Sequence, residues 1–173
     1  MNLFIRLLMR WLLSMNQRAS LCDVQRQNYR IQLHDMGWRT HLPNFRFLSF
    51  MELGRFSYWR SIRHELKRDT GMRMIAAQEM IYIRPVGFLA RLTMDTCLIG
   101  WDQKYVYFRH DFYVGKKLVA TGVVKEACVV KGSVIDPDEV FRGESPREAA
   151  GLWKAGRNFS RKSGVHRVPA EEA

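Results

Sequence analysis

Residues 44–67 read NFRFLSFMELGRFSYWRSIRHELK, and the architecture turns on this stretch. Leu48, Met51, Arg55, Tyr58 or Trp59, Ile62 and Leu66 recur at steps of three and four, the period of a helix with one apolar face. Phe45, Phe47, Phe50 and Phe56 extend the apolar surface around much of the helix near its start. A helix of that kind is expected to be enclosed by other elements. Pro43 and Asn44 punctuate its beginning, and Thr70-Gly71 ends the unit. Gly54 costs stability mid-helix, which predicts the close approach of another backbone there.

Strands are expected on both sides of this helix. Before it, residues 28–34 (NYRIQLH) alternate Tyr29, Ile31 and Leu33 with Arg30, Gln32 and His34, a half-buried strand followed by a polar turn at 35–41. After it, residues 74–84 and 89–100 are β-rich runs separated by Pro85-Val86-Gly87. Residues 105–113 place Val106, Phe108, His110 and Phe112 on one face, opposite Tyr105, Tyr107, Arg109, Asp111 and Tyr113. A hairpin turn at Gly115-Lys116-Lys117 leads into a returning strand at 118–131. One strand, one buried helix and four strands make an α+β domain, an antiparallel sheet curved around one long central helix. The domain is expected to span residues 21–143, with a capped short helix at 136–141. Residues 144–173 form a basic tail, with a short helix expected near 146–154.

At 173 residues, 47% of them hydrophobic, the chain is large enough for one core and lies outside the disordered class. Three cysteines without paired spacing argue against a disulfide framework and for a reducing, cytoplasmic setting. The five histidines are scattered and no Cys-x-x-Cys occurs, so no metal site is expected. A net charge of +11 suits anionic lipid, nucleic acid or phosphorylated small molecules. The charge is spread along the chain, and no helix-turn-helix, zinc-finger or RNA-binding aromatic signature accompanies it, so nucleic acid is not the expected partner. Residues 1–15 (MNLFIRLLMRWLLSM) are too short and too charged to span a bilayer. Within an N-terminal amphipathic helix over 1–20 they suit two readings: contact with the inner membrane surface, or packing on the protein itself.

The segment 35–55, D35-M-G-W-R-T-H41-L-P-N44-F-R-F47-L48-S-F-M-E52-L-G-R55, resembles the signature of hotdog-fold acyl-CoA and acyl-carrier-protein thioesterases. That signature places aspartate before His-x-Asn-Asn, then Tyr-Leu and an acidic residue shortly before arginine on the helix. The N-terminal MNLFIRLL and the GRF after Glu52 are similar to the thioesterase-superfamily-member-six branch. Gly37 stands where that branch has its second aspartate, Pro43 where it has the first asparagine, and Phe47 where it has tyrosine. The resemblance implies a single hotdog domain, acyl thioester substrates on coenzyme A or carrier protein, and a homodimer or tetramer built by edge-to-edge sheet pairing.

Thioester hydrolysis needs a carboxylate, donors for the carbonyl oxygen and a groove for the acyl chain. Asp35 is the first carboxylate candidate, as base or nucleophile, and Glu52 the second, as an enclosed general base. His41 and Asn44 are candidates to orient water or the thioester carbonyl, and backbone amides at the helix start to receive the oxyanion. Gly37, Phe45, Phe47 and Phe50 are candidates to bind substrate. No cofactor is needed for this chemistry. Each residue also has a plainer role: Asp35 bonding turn amides, Asn44 capping the helix, His41 bonding a turn carbonyl, Glu52 pairing with Arg55 or Arg60, and the phenylalanines packing the core. Asp95, His110 and Asp111 are expected in surface or cross-strand pairs. Two rivals to the enzyme stand beside it: a hotdog protein that binds acyl thioesters without turnover, and a peripheral membrane scaffold.

Overall fold

The computed structural model describes residues 18–141. β1 (Gln25–Arg30) is followed by a one-turn helix α1 (Leu33–Met36) and the long helix α2 (Asn44–Ser61). β2 (Met72–Tyr82), β3 (Arg91–Trp101), β4 (Val106–Val114), β5 (Lys117–Val130) and the two-residue β6 (Ser133–Val134) follow, then helix α3 (Pro137–Val140). The strands form one antiparallel sheet in the order β1-β3-β4-β5-β2, with β6 on β5. The sheet is curled, and α2 packs against its inner face, the hotdog arrangement.

Alternation explains the inner face. Val106, Phe108 and Phe112 of β4 are buried beside Leu92, Met94 and Leu98 of β3 and Ala120, Val124 and Cys128 of β5. α2 contributes Phe47, Phe50, Met51, Leu53, Tyr58 and Trp59 to the same core. Each fully buried large side chain adds roughly 1.5–3 kcal/mol of transfer free energy. At the C-terminal end of α2 the Phe141 ring stacks on Trp101 (4.2 Å between centroids) and Trp59 (5.5 Å), closing that end of the core. Val114 pairs with Lys117 across the β4–β5 hairpin, and Gly115 takes φ +60°, which a side chain would strain.

Four expectations need correcting. The first strand ends at Arg30, not His34: Gln32 forms a reciprocal capping box with Asp35 that starts α1, and Leu33 is 66% exposed. The long helix ends at Ser61, followed by a 3₁₀ turn at Arg63–Glu65, because Ile62 leaves helical ψ. α2 is not enclosed all round: ten of its eighteen residues are buried, while Phe45 is exposed and Phe56 half-buried on its outer side. The close approach at Gly54 is made by side chains, since a Cβ there would lie 2.5 Å from Met94 Cε and 2.6 Å from Thr96 Oγ1. The expected short helix at 136–141 is present as α3, with Asp136 Oδ1 accepting from the Asp138 amide at 2.9 Å.

The N-terminal helix expected over 1–20 falls, through residue 17, outside the described residues, as does the tail over 144–173; residues 18–20 are irregular. No helix among the described residues is long and apolar enough to cross a membrane. Cys22, Cys97 and Cys128 are free thiols.

Candidate active site

α1, the 37–43 turn and the first turn of α2 meet the β2–β3 connection at one end of the sheet. Ile31 exchanges backbone hydrogen bonds with Leu89 and Ala90, Leu42 donates to Val86, and His41 bridges Gly87. These contacts fix the turn that delivers the chain to α2.

Asp35 lies here, 2% exposed. Its Oδ2 accepts from the Gln32 amide at 3.0 Å. Its Oδ1 lies 3.5 Å from His34 Nε2 and 3.7 Å from Arg46 Nε, in the first turn of α2. Arg46 also donates to the His34 carbonyl at 3.1 Å, tying α1 to α2. The carboxylate therefore carries the amide-bonding role that competes with catalysis, at a cap of α1 and not at a strand end. Arg46 is not among the residues the sequence singles out; its position two residues after Asn44 offers no pattern beyond charge.

The N-cap position of α2 is Pro43, not Asn44, and no side chain caps this terminus. Proline has no acceptor side chain, and the Arg46 amide already donates to the Pro43 carbonyl at 2.9 Å, so the amides left for an incoming oxygen at the start of this 18-residue helix are those of Asn44 and Phe45. Asn44 is the first helical residue and exposed; its backbone carbonyl accepts from the Tyr82 hydroxyl at 3.3 Å. His41 is exposed, with Nδ1 3.4 Å from Thr40 Oγ1. Gly37 ends α1 at φ 63°, ψ −127°, a conformation that favours glycine over any side chain. The aspartate of the resembling branch is thus replaced by a residue with a backbone reason to be glycine.

The phenylalanines divide. Phe47 sits edge-on to Phe112 (5.1 Å) and Tyr82 (5.5 Å), and Phe50 stacks on Tyr29 at 4.5 Å, both within the core. Phe45 is 55% exposed, with the Arg46 guanidinium 5.7 Å from its ring centroid.

Glu52 is exposed and not enclosed as expected. It does not pair with Arg55 either. Arg55 is 4% exposed and its Nε donates to Glu126 Oε2 at 2.8 Å, while Trp59 Nε1 donates to Glu126 Oε1 at 2.9 Å. Burial lowers the Arg55 pKa, opposed by the Glu126 carboxylate. Glu126 is likewise missing from the sequence candidates, although one signal points to it: it shares strand parity with Val124 and Cys128, facing a helix whose apolar stripe contains Arg55.

Asp95 and Asp111 do form strand-face pairs. Arg26 grips Asp95 with two bonds of 2.7 Å across β1 and β3, and Asp111 accepts from Arg109 and, at 2.5 Å, from Thr121. His110 differs: it pairs across strands with Thr96, Nδ1 to Oγ1 at 3.0 Å, but on the buried inner face. No cluster of three or more metal-ligating side chains occurs among the described residues.

A helix lying in a curled sheet, its open N-terminus beside a buried acidic residue, is the build of a hotdog thioesterase. Residues 31–142 match the model of the Thioesterase-like superfamily, and the chain belongs to that superfamily. Solved structures of similar fold include a probable thioesterase from Bartonella henselae (16% identity, TM-score 0.58, covering 66% of this chain and 98% of that one). A thioesterase from Thermus thermophilus, crystallised with coenzyme A and zinc, is 21% identical with TM-score 0.58, covering 66% and 90% of the two chains. A predicted thioesterase from Bacillus stearothermophilus is 13% identical with TM-score 0.59, covering 68% and 90%. No curated protein matches the chain. Superfamily and fold support thioester hydrolysis as the general activity.

Proposed function

We propose that the chain hydrolyses acyl-coenzyme A thioesters at the N-terminus of α2. The observation that carries the reading is the uncapped start of this helix beside the buried Asp35. Asp35 accepts a proton from water as the water oxygen attacks the thioester carbonyl carbon, and the oxyanion gathers on the leading amides of α2. The carbon–sulfur bond then breaks as the departing sulfur takes the proton held by Asp35, releasing the carboxylic acid and the free thiol. Asn44 and His41, both exposed at the same turn, orient water or the carbonyl. Phe45 and Gly37 would border the entry, and an acyl group reaching Phe47 and Phe50 would enter the core in which both rings are packed. Carrier-protein thioesters are the alternative substrate. Kinship with the member-six branch is supported by the N-terminal MNLFIRLL and the GRF after Glu52.

The assembly we favour is a homodimer built through the free edge of β2. Composition supports a cytoplasmic location, and residues 1–15 suit either contact with the inner membrane or packing on the protein itself.

One observation favours a second reading, a hotdog protein that binds thioesters without turnover. The second aspartate of the resembling branch is absent at Gly37, and Asp35 already serves a capping box. Release of free thiol from short, aromatic and long-chain acyl-CoA esters separates the two. Asp35→Asn is expected to lower turnover by about 10²–10⁴-fold while Glu52→Gln stays near wild type. Folded protein that binds the esters and releases no thiol would establish the binding role.

A further inference from the structure

The C-terminal end of α2 and the first residues of β2 enclose an open cleft of about 220 Å³, away from Asp35. Arg60, Arg63 and Arg73 line it, with Asp69 as the one acidic lining residue among the described residues and Phe56 and Trp59 as apolar wall. We propose that this cleft binds the phosphate groups of a phosphorylated ligand through Arg63 and Arg73.

The charge balance of the lining favours an anion. The guanidinium groups of Arg63 and Arg73 face one carboxylate, and Asp69 turns an oxygen to the Gly71 amide at 3.3 Å. Neighbouring cations are already occupied: Arg68 pairs with Glu139 at 2.5 Å, and Lys67 donates to the Asp138 carbonyl at 3.0 Å. Arg63 and Arg73 make no ion pair among the described residues, and the Arg73 guanidinium is held 5.7 Å from the Trp59 ring centroid. A helix C-terminus attracts cations by itself, through a partial charge of about −0.5. That accounts for arginines on α2 but not for Arg73, which comes from β2. The two full positive charges of Arg63 and Arg73 also outweigh the Asp69 carboxylate and the half charge that would oppose a bound phosphate.

Guanidinium groups match phosphate oxygens in a planar fork, so arginine is the side chain this ligand calls for. The volume sets the scale of what enters. Drug-sized ligands fill pockets of roughly 300–1,000 Å³, so this cleft takes a phosphorylated end and not a whole cofactor. The phosphates could come from the nucleotide end of coenzyme A, which rests on the function proposed above, or from a free phosphorylated metabolite.

Calorimetric titration of the full chain with adenosine 3′,5′-bisphosphate, coenzyme A and inorganic phosphate tests the proposal. Arg63 is exposed, so Arg63→Gln leaves the fold intact. It is expected to weaken nucleotide binding about tenfold, and Arg63→Gln with Arg73→Gln about a hundredfold. If coenzyme A weakens in parallel, while hydrolysis of a phosphate-free S-acyl-N-acetylcysteamine is unchanged, the cleft serves the thioester substrate. If the bisphosphate or inorganic phosphate weakens but coenzyme A does not, the ligand is a separate phosphorylated molecule. Equal affinities in wild type and both variants, or no binding by folded wild type, would overturn the proposal. Absence of thioester turnover would strike the hydrolase reading alone, since the titrations do not depend on it.

Discussion

His110 sits in β4 with no solvent exposure, its Nδ1 against Thr96 and its Nε2 without a partner among the described residues. Burial, and then the nearby charge of Arg55, hold its pKa well below the ordinary histidine value. The folded protein therefore keeps the imidazole neutral while the unfolded chain protonates near pH ~6.5. Stability is full above that value and falls as pH drops below it toward the folded pKa, by at most about 1.4 kcal/mol per pH unit. Denaturant midpoints measured between about pH 5 and 8 should show this acid-side loss in wild type and a shallower one in His110→Gln. Parallel slopes would mean that other groups carry the acid sensitivity. The position is legible as a strand residue of core parity. What parity cannot reveal is that Thr96 meets it across β3, or that Glu126, of the same parity on β5, meets Arg55. The partners of buried polar residues lie far away in sequence, here by 14 and 71 positions.

At the scale of elements, Gly54 sets how near α2 lies to the sheet. Alanine in its place would gain about 1 kcal/mol of helix propensity. Its Cβ would meet Met94 Cε at 2.5 Å and Thr96 Oγ1 at 2.6 Å. The Met94 methyl can swing aside. The Thr96 hydroxyl cannot move as freely, being β-branched and bonded to His110. Overpacking of this kind costs about 1–3 kcal/mol, so Gly54→Ala is expected to lower the thermal midpoint despite better propensity. An unchanged or raised midpoint would show that the spacing of helix and sheet has slack. The four long strands and the central helix are readable because their period-two and period-3.6 patterns each run for about ten residues or more. The end of β1 is not, because Tyr29, Ile31 and Leu33 continue the alternation past the point where Gln32 and Asp35 close a capping box. Local side-chain bonds of that kind override a weak periodic signal within one turn. The site is legible only in part: the turn and the helix start show in the sequence, whereas Arg46 and the half-turn Gly37 imposes depend on backbone angles.

For the whole molecule, the open edge of the sheet matters most. β2 pairs with β5 on one side, and its other side ends the sheet among the described residues. Its eleven residues include Met72 at 65% exposure, Met74 at 52% and Ile75 at 47%. A long apolar edge left open templates further strand pairing, and the homodimer proposed above would close it with a second copy of the chain. Met74→Lys combined with Ile75→Lys should convert a dimer to a monomer in light scattering. Both sites are half-exposed or nearly so, so each change should alter stability by no more than about 0.5 kcal/mol. A wild type that is monomeric at working concentration, or a variant that still dimerises, would remove β2 as the seam. Pairing of two β2 edges also has a consequence for the arginine cleft. It would set the Arg73 end of one strand against the Tyr82 end of the other, and the Tyr82 hydroxyl reaches the Asn44 carbonyl at the start of α2. Within one protomer the two ends of α2 are about 26 Å apart, but across the seam the cleft of one copy and the helix start of the other become neighbours. The monomeric variant is therefore expected to raise KM for acyl-CoA more than for an N-acetylcysteamine thioester, which carries no phosphate to lose.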